Sequence, residues 1–361
     1  MLRLIIVPLI AAAALVLTDS TSAQTLQWDA DASAPVNGGA GNWLGGTTWF
    51  NGATYQSWLD GSRASFGASA GTVTVNGPVS AAGLTFSVGG YTINGSSVLT
   101  LTSNTTAGGT QAIVTSGSGT TFISAPINLG AATGSATFSI GSGTTADISG
   151  KITSTNTEGI NKTGSGTLIL SGDNTYSGAN TFTAGTVLVN NTAGSGTGTG
   201  TVTLSNSGTV LGGTGTISGA VTAGSSTVIT GGTNGTVGAL SLSSNVTFSG
   251  TAGYNVDISG GTSDKLIIGG ALNLNSTTDQ ITFNGAADGT TSYVLATYGS
   301  VTGTFNTVNN LPSNYILFYG TNELDLIAVP EPSTWIGGAL ALGALGFSQR
   351  RRFVKRSRVT C

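Results

Sequence analysis

Histidine is absent from the 361-residue chain, cysteine occurs once, at Cys361, and charged residues make up only 7%. Without histidine there is no His-dependent triad and no His-rich metal site, and the lone cysteine follows an apolar tail segment, which excludes a thiol nucleophile in the body. A single cysteine also excludes an intrachain disulfide, so the chain is held together without staples. With 7 Pro and no three-residue Gly period the chain is not collagen, and 39% hydrophobic residues are too many for a typical disordered chain. What is abundant is Gly, 58 residues, with Ser, Thr and Asn in the place of charge. That composition points to a regular, β-rich body.

The sparse charge is unevenly placed. Arg350, Arg351, Arg352, Lys355, Arg356 and Arg358 lie in the tail, and residues 24 to 349 hold 13 acids against Arg63, Lys151, Lys162 and Lys265, a formal charge of −9. Such a body repels nucleic acid and anionic polymers. The basic tail follows an apolar segment and is no sign of nucleic-acid binding.

Short strand-like pulses recur along the body, among them Thr72 to Val75, Gly83 to Phe86, Val98 to Leu101, Thr167 to Leu170, Thr186 to Val189, Thr201 to Leu204, Ala239 to Leu242 and Lys265 to Ile268. Each alternates apolar and small polar residues at period 2 or is a brief apolar run. Gly166-Thr167, Gly185-Thr186 and Gly200-Thr201 open three pulses at spacings of 19 and 15 residues, which fit one rung of a β-solenoid. A stack of this kind lines up Val, Ile and Leu inside and Thr, Ser and Asn outside, and Asn76-Gly77, Asn94-Gly95 and Asn234-Gly235 mark its turns. Tandem β-sandwiches are the competing all-β reading. The recurrence of near-identical Gly-Thr pulses favours the solenoid.

The two termini carry address signals. Arg3, the apolar run Leu4 to Leu17 and Thr21-Ser22-Ala23 have the architecture of a secretory signal peptide, with cleavage expected between Ala23 and Gln24. At the other end Val329, Pro330, Glu331, Pro332, Ser333, Thr334 and Trp335 lead into an apolar run ending at Phe347 and then Arg350, Arg351 and Arg352. The two prolines keep the entry extended, and the arginines hold the far side in the cytoplasm. The thirteen residues from Trp335 to Phe347 form a short hydrophobic helix of about 20 Å, less than a hydrocarbon core of roughly 30 Å. A plain C-terminal anchor fits that length less well than a sorting label. This arrangement resembles the PEP-CTERM sorting signal, which implies an exosortase and the secretory translocon as partners, a Gram-negative envelope, an inner-membrane intermediate and association with extracellular polysaccharide.

Gly159-Ile160-Asn161-Lys162-Thr163-Gly164-Ser165-Gly166-Thr167-Leu168-Ile169-Leu170-Ser171-Gly172-Asp173-Asn174-Thr175-Tyr176-Ser177-Gly178, continued by Gly185-Thr186-Val187-Leu188, resembles the autotransporter-associated β-strand repeat. That resemblance implies a right-handed parallel β-helix in an adhesive passenger region. Unlike an autotransporter, the chain shows no run of barrel strands after Ala328, so the sorting label is expected to replace self-export. The expected organisation is a signal peptide (1–23), a Trp-rich cap (24–70), a β-solenoid (71–270) with the repeat at about 159–188, a C-terminal β cap (271–328), the sorting signal with its helix (329–352) and a basic cytoplasmic tail (353–361).

Trp28, Trp43, Trp49 and Trp58 crowd the start of the body. They read either as a carbohydrate platform or as a plug for the open end of the apolar column, and the plug is favoured because terminal repeats are atypical. Tyr293, Tyr298, Phe305, Tyr315, Phe318 and Tyr319 are expected to close the other end. The acids Asp147, Glu158, Asp173, Asp257, Asp264, Asp279 and Asp288 show no paired spacing, which argues against a glycosidase, and a lyase would call for more Arg and Lys than the body holds. Asp29 and Asp31 lack the further acids of a calcium loop. The reading is therefore a non-enzymatic exported surface or matrix protein with no cofactor and no metal; a polysaccharide-active enzyme on the same scaffold is the alternative.

Overall fold

In the computed structural model the described residues are 24–102, 111–130, 134–274 and 276–329. The expected signal cleavage at Ala23, the motif from Pro330 to Trp335, Arg350 to Arg352 and the short hydrophobic helix lie outside them. Among the described residues there is no helix at all, and none long and apolar enough to cross a membrane.

The chain winds as a parallel stack. Two long sheets of 14 and 13 strands run its length, and a third side is built from a four-stranded sheet and then a six-stranded one. Where all three sides carry strands, each turn visits them in order, as Gly83–Phe86, Thr92–Asn94 and Leu99–Leu101 do before Gln111–Thr115 returns to pair with Gly83–Phe86. This parallel order rules out tandem antiparallel sandwiches. Parallel pairing begins at Thr25 and continues to Asn309, so stacking reaches beyond the expected limits at 71 and 270 on both sides.

The period-2 pattern sorts the side chains. On the 14-stranded sheet Leu84, Ile113, Phe138, Lys162, Phe182, Leu204, Ala223 and Phe248 stand in register on successive rungs and point inward. On the 13-stranded sheet Ala146, Leu168, Val187, Leu211, Ile229, Tyr254 and Ile281 form the facing column. One continuous apolar core results, and a fully buried side chain of this size contributes about 1.5–3 kcal/mol.

The Gly-Thr spacings have different meanings. Thr167 and Thr186 pair on adjacent rungs, so the 19-residue step is a rung. Thr201 instead leads into Val202–Leu204 on the other long sheet, and the 15-residue step is a change of side. Gly164 and Gly185 turn the chain between the two long sheets with φ of 75° and 68°. A Cβ on Gly164 would also collide with the carbonyl of Ile140 below, so glycine is needed there on both counts.

Candidate functional site

Between Ile152–Ser154 and Thr216–Ile217 the third side has no strand, and side-chain amides take over its ladder. Asn174 Oδ1 accepts from Ile152 N at 2.7 Å, and Asn174 Nδ2 donates to Gly196 O at 2.7 Å. One residue thereby bridges the rungs below and above. Asn180 does the same at the neighbouring corner: its Oδ1 accepts from Tyr176 Oη at 2.8 Å and Ile160 N at 3.3 Å, while its Nδ2 donates to Thr197 O at 2.9 Å. Asn174, Tyr176 and Asn180 are buried, so each bond satisfies a group that water cannot reach.

Lys162 is the anomaly of the inward column. It occupies the position between Phe138 and Phe182, and its Nζ donates to the carbonyls of Gly164 at 2.6 Å, Ala184 at 2.8 Å and Thr163 at 3.3 Å. Burial pushes its pKa down to about 8. The ammonium ties both glycine turns of this rung pair together from within.

The outward row beside that column is uniform and uncharged. Gln111, Thr137, Asn161, Thr181, Thr203, Thr222, Thr247, Asn273 and Thr302 stand in register on nine successive strands. At a strand spacing of about 4.8 Å the row extends roughly 38 Å. The 13-stranded sheet is different: Phe122, Asp147, Ile169 and Leu188 share one outward row, mixing apolar groups with a carboxylate.

The tryptophans sit mostly inside. Trp28, Trp43 and Trp49 are fully buried and Trp58 is half-buried. Trp49 lies 5.1 Å from Trp28, 5.0 Å from Trp43 and 4.7 Å from Trp58 by ring centroids, and Trp43 continues the contact to Phe66 at 5.6 Å. The Nε1 atoms of Trp28 and Trp49 donate to backbone carbonyls, Gly39 and Trp43. A sugar platform needs open ring faces; three of these four have none. At the opposite end Tyr293, Tyr298, Phe305 and Tyr315 are buried, whereas Phe318, expected among the closing aromatics, is 49% exposed. Its strand, Tyr315–Tyr319, alternates, and position 318 falls on the outer side.

Seven residues apart in sequence, Asp257 and Asp264 meet in space. The reversal Ile258↔Ser263 folds the chain back, and Asp257 N donates to Asp264 Oδ2 at 3.2 Å. Asp264 also accepts from Thr230 Oγ1 and Gly238 N, both at 2.8 Å, and Asp257 Oδ2 accepts from Gly235 N at 2.6 Å. Burial pushes Asp264 up to about 6. Both carboxylates are buried and spend their oxygens holding the Gly-rich loop 231–238. Asp147, Glu158, Asp173, Asp279 and Asp288 lie on separate rungs and turns, and no group of three or more potential metal ligands occurs among the described residues.

Residues 160–189, the stretch with Lys162 and the Asn174 and Asn180 bridges, match the passenger-associated-transport-repeat family. Residues 328–352 match the PEP-CTERM protein-sorting motif. Over 200 residues the chain is 28% identical to the adhesin BmaC autotransporter of Brucella suis biovar 1 (strain 1330), a match covering 53% of this chain and 5% of that protein. The chain thus spans only a small part of the relative's length.

Proposed function

We propose that the chain is a non-enzymatic, adhesin-like protein of a Gram-negative cell surface or extracellular matrix, whose stack presents a long neutral face to secreted polysaccharide. The observation that carries this is the row from Gln111 to Thr302, nine in-register polar side chains with no charge among them. Hydroxyls and amides repeated along one line match a polymer whose own hydroxyls repeat, and the absence of charge on the row avoids the repulsion that the acidic body exerts elsewhere. Similarity to an autotransporter adhesin and to a passenger repeat supports the adhesive reading. The match to a protein-sorting motif supports export by the secretory translocon, passage through an inner-membrane intermediate and handling by an exosortase. The signal is removed between Ala23 and Gln24, the coil is right-handed as parallel crossovers are, and the Trp-rich end and the C-terminal hairpin serve as its caps.

Catalysis has little to work with in this geometry. The carboxylate pair Asp257 and Asp264 is closed off and engaged by the backbone. The test is binding and turnover on one panel of neutral and acidic bacterial polysaccharides. Retention on neutral polymers without release of reducing ends or unsaturated products is expected, and Thr181→Asp with Thr203→Asp should weaken it. Turnover abolished by Asp264→Asn would instead establish an enzyme.

A further inference from the structure

Eight large apolar side chains are exposed among the described residues; four of them, Val308, Leu311, Ile316 and Phe318, fall in the last stretch before the sorting motif, and a fifth, Val329, lies at its start. Ile316 and Phe318 lie on Tyr315–Tyr319, the outermost strand of the six-stranded sheet. Cross-strand pairing sets Ile316 beside Ile327 and Phe318 beside Asp325. Asp325 is followed on the next strand by Val294; Ile267, exposed one strand further on, stands instead beside Thr297, whose partner is Glu323. The apolar part of this outward face is therefore its edge, where Ile316 and Phe318 on the last strand meet Ile327 on the next.

The chain leaves this patch directly for the tail. Glu323–Ala328 pairs with Tyr315–Tyr319, and Val329 N donates to Asn314 O at 2.7 Å, so Val329 is still tied to the sheet. Six residues later in the sequence begins the apolar run from Trp335 to Phe347, whose thirteen residues would span about 20 Å if helical, short of a core of roughly 30 Å. A tail of that length is a marginal anchor and gains from an apolar surface beside it.

We infer that the edge patch of Ile316, Phe318 and Ile327 rests on the lipid surface beside the entry point of the tail, so that the stack is held against the bilayer at its C-terminal end before processing. The ligand is the interfacial region of a bilayer, which accepts aromatic and branched apolar side chains at the headgroup boundary. Two other features agree. Asp325 Oδ1 is buried with no hydrogen-bond partner, and burial first, then Glu323, raises the Asp325 pKa while Lys265 opposes the rise. The acidic body and the Arg-rich tail also make the tail's entry point the natural point of approach to a membrane. The inference rests on the reading that the tail enters a bilayer, and its test separates the two.

The full chain carrying Cys361→Ser is labelled with one environment-sensitive fluorophore at Phe318→Cys, Ala341→Cys, Phe122→Cys or Thr302→Cys. Each is mixed with phosphatidylcholine vesicles whose acyl chains are brominated or unbrominated. Quenching by bromine is expected at 341 and 318, with none at 122, an equally exposed apolar site on another sheet, or at 302. Quenching at 341 without quenching at 318 overturns the inference and leaves the tail reading standing. No quenching at 341 removes both. Equal quenching at 318, 122 and 302 assigns the contact to the label and overturns the inference. So does a dimer that shields the 318 probe without vesicles, which assigns the patch to a second copy.

Discussion

The two ends of the stack solve one problem in opposite ways. At the N-terminal end Trp28, Trp43 and Trp49 turn inward and the hairpin of Trp49–Phe50 and Tyr55–Gln56 closes over the first rung. At the C-terminal end an antiparallel pair, Tyr315–Tyr319 with Glu323–Ala328, covers only the third side and leaves Ile316 and Phe318 outside. An open apolar column must be covered at both ends. Burying three indoles is a stability device, whereas leaving apolar groups on the outer strand suits contact with something beyond the chain.

The comparison breaks first if the N-terminal rings are not structural. Trp49→Ala removes the ring shared by Trp28, Trp43 and Trp58 and should destabilise by about 3–5 kcal/mol in chemical unfolding. Between the ends, Asn180→Ala strips a buried bridge from Tyr176, Ile160 and Thr197 and should cost about 1–3 kcal/mol. A smaller effect is expected from pH. The Lys162 pKa is lowered on folding from 10.5 to about 8, so between those values the unfolded chain binds more protons and stability rises with pH. The contribution is lost as pH falls through about 8, and the stability gain from pH 8 to 9.5 should be larger in the wild type than in Lys162→Met. Asp264 has the opposite sign: its pKa is raised from 3.8 to about 6, so its contribution is present at low pH and lost as pH rises through 6, a slope that Asp264→Asn should remove. Smallest of all, Ile316→Ser and Phe318→Ser should each change stability by less than about 0.5 kcal/mol. A large loss from either would make the C-terminal patch part of the core and erase the contrast between the ends.

Local pattern and global stacking were not equally legible. The parallel stack could be read from Gly166-Thr167 and Gly185-Thr186, because the same turn chemistry recurs wherever the chain changes side. The 15-residue step to Gly200-Thr201 could not be told from a rung, since both kinds of corner use Gly and Thr; only pairing separates Thr186 from Val202–Leu204. Clustering of tryptophans signalled a special end, but a ring that plugs and a ring that binds sugar have the same composition, and burial decides between them. Composition alone places Phe318 among the closing aromatics, although strand parity sets it opposite in direction to Tyr315 and Tyr319. The Asp257 and Asp264 contact was invisible because it depends on the reversal at Ser259 and Thr262. Nothing in the spacing of Asn174 and Asn180 marks them out; their role as substitutes for a missing strand appears only when three rungs are stacked.

A surface role requires that the chain be exported and sorted as its two termini suggest. The most direct measurement is mass spectrometry of both ends of the protein isolated from the surface of its own cells. A mature chain beginning near Gln24 and lacking Arg350 to Cys361 is the expected result. Surface protein that retains Arg350 to Cys361 would contradict it.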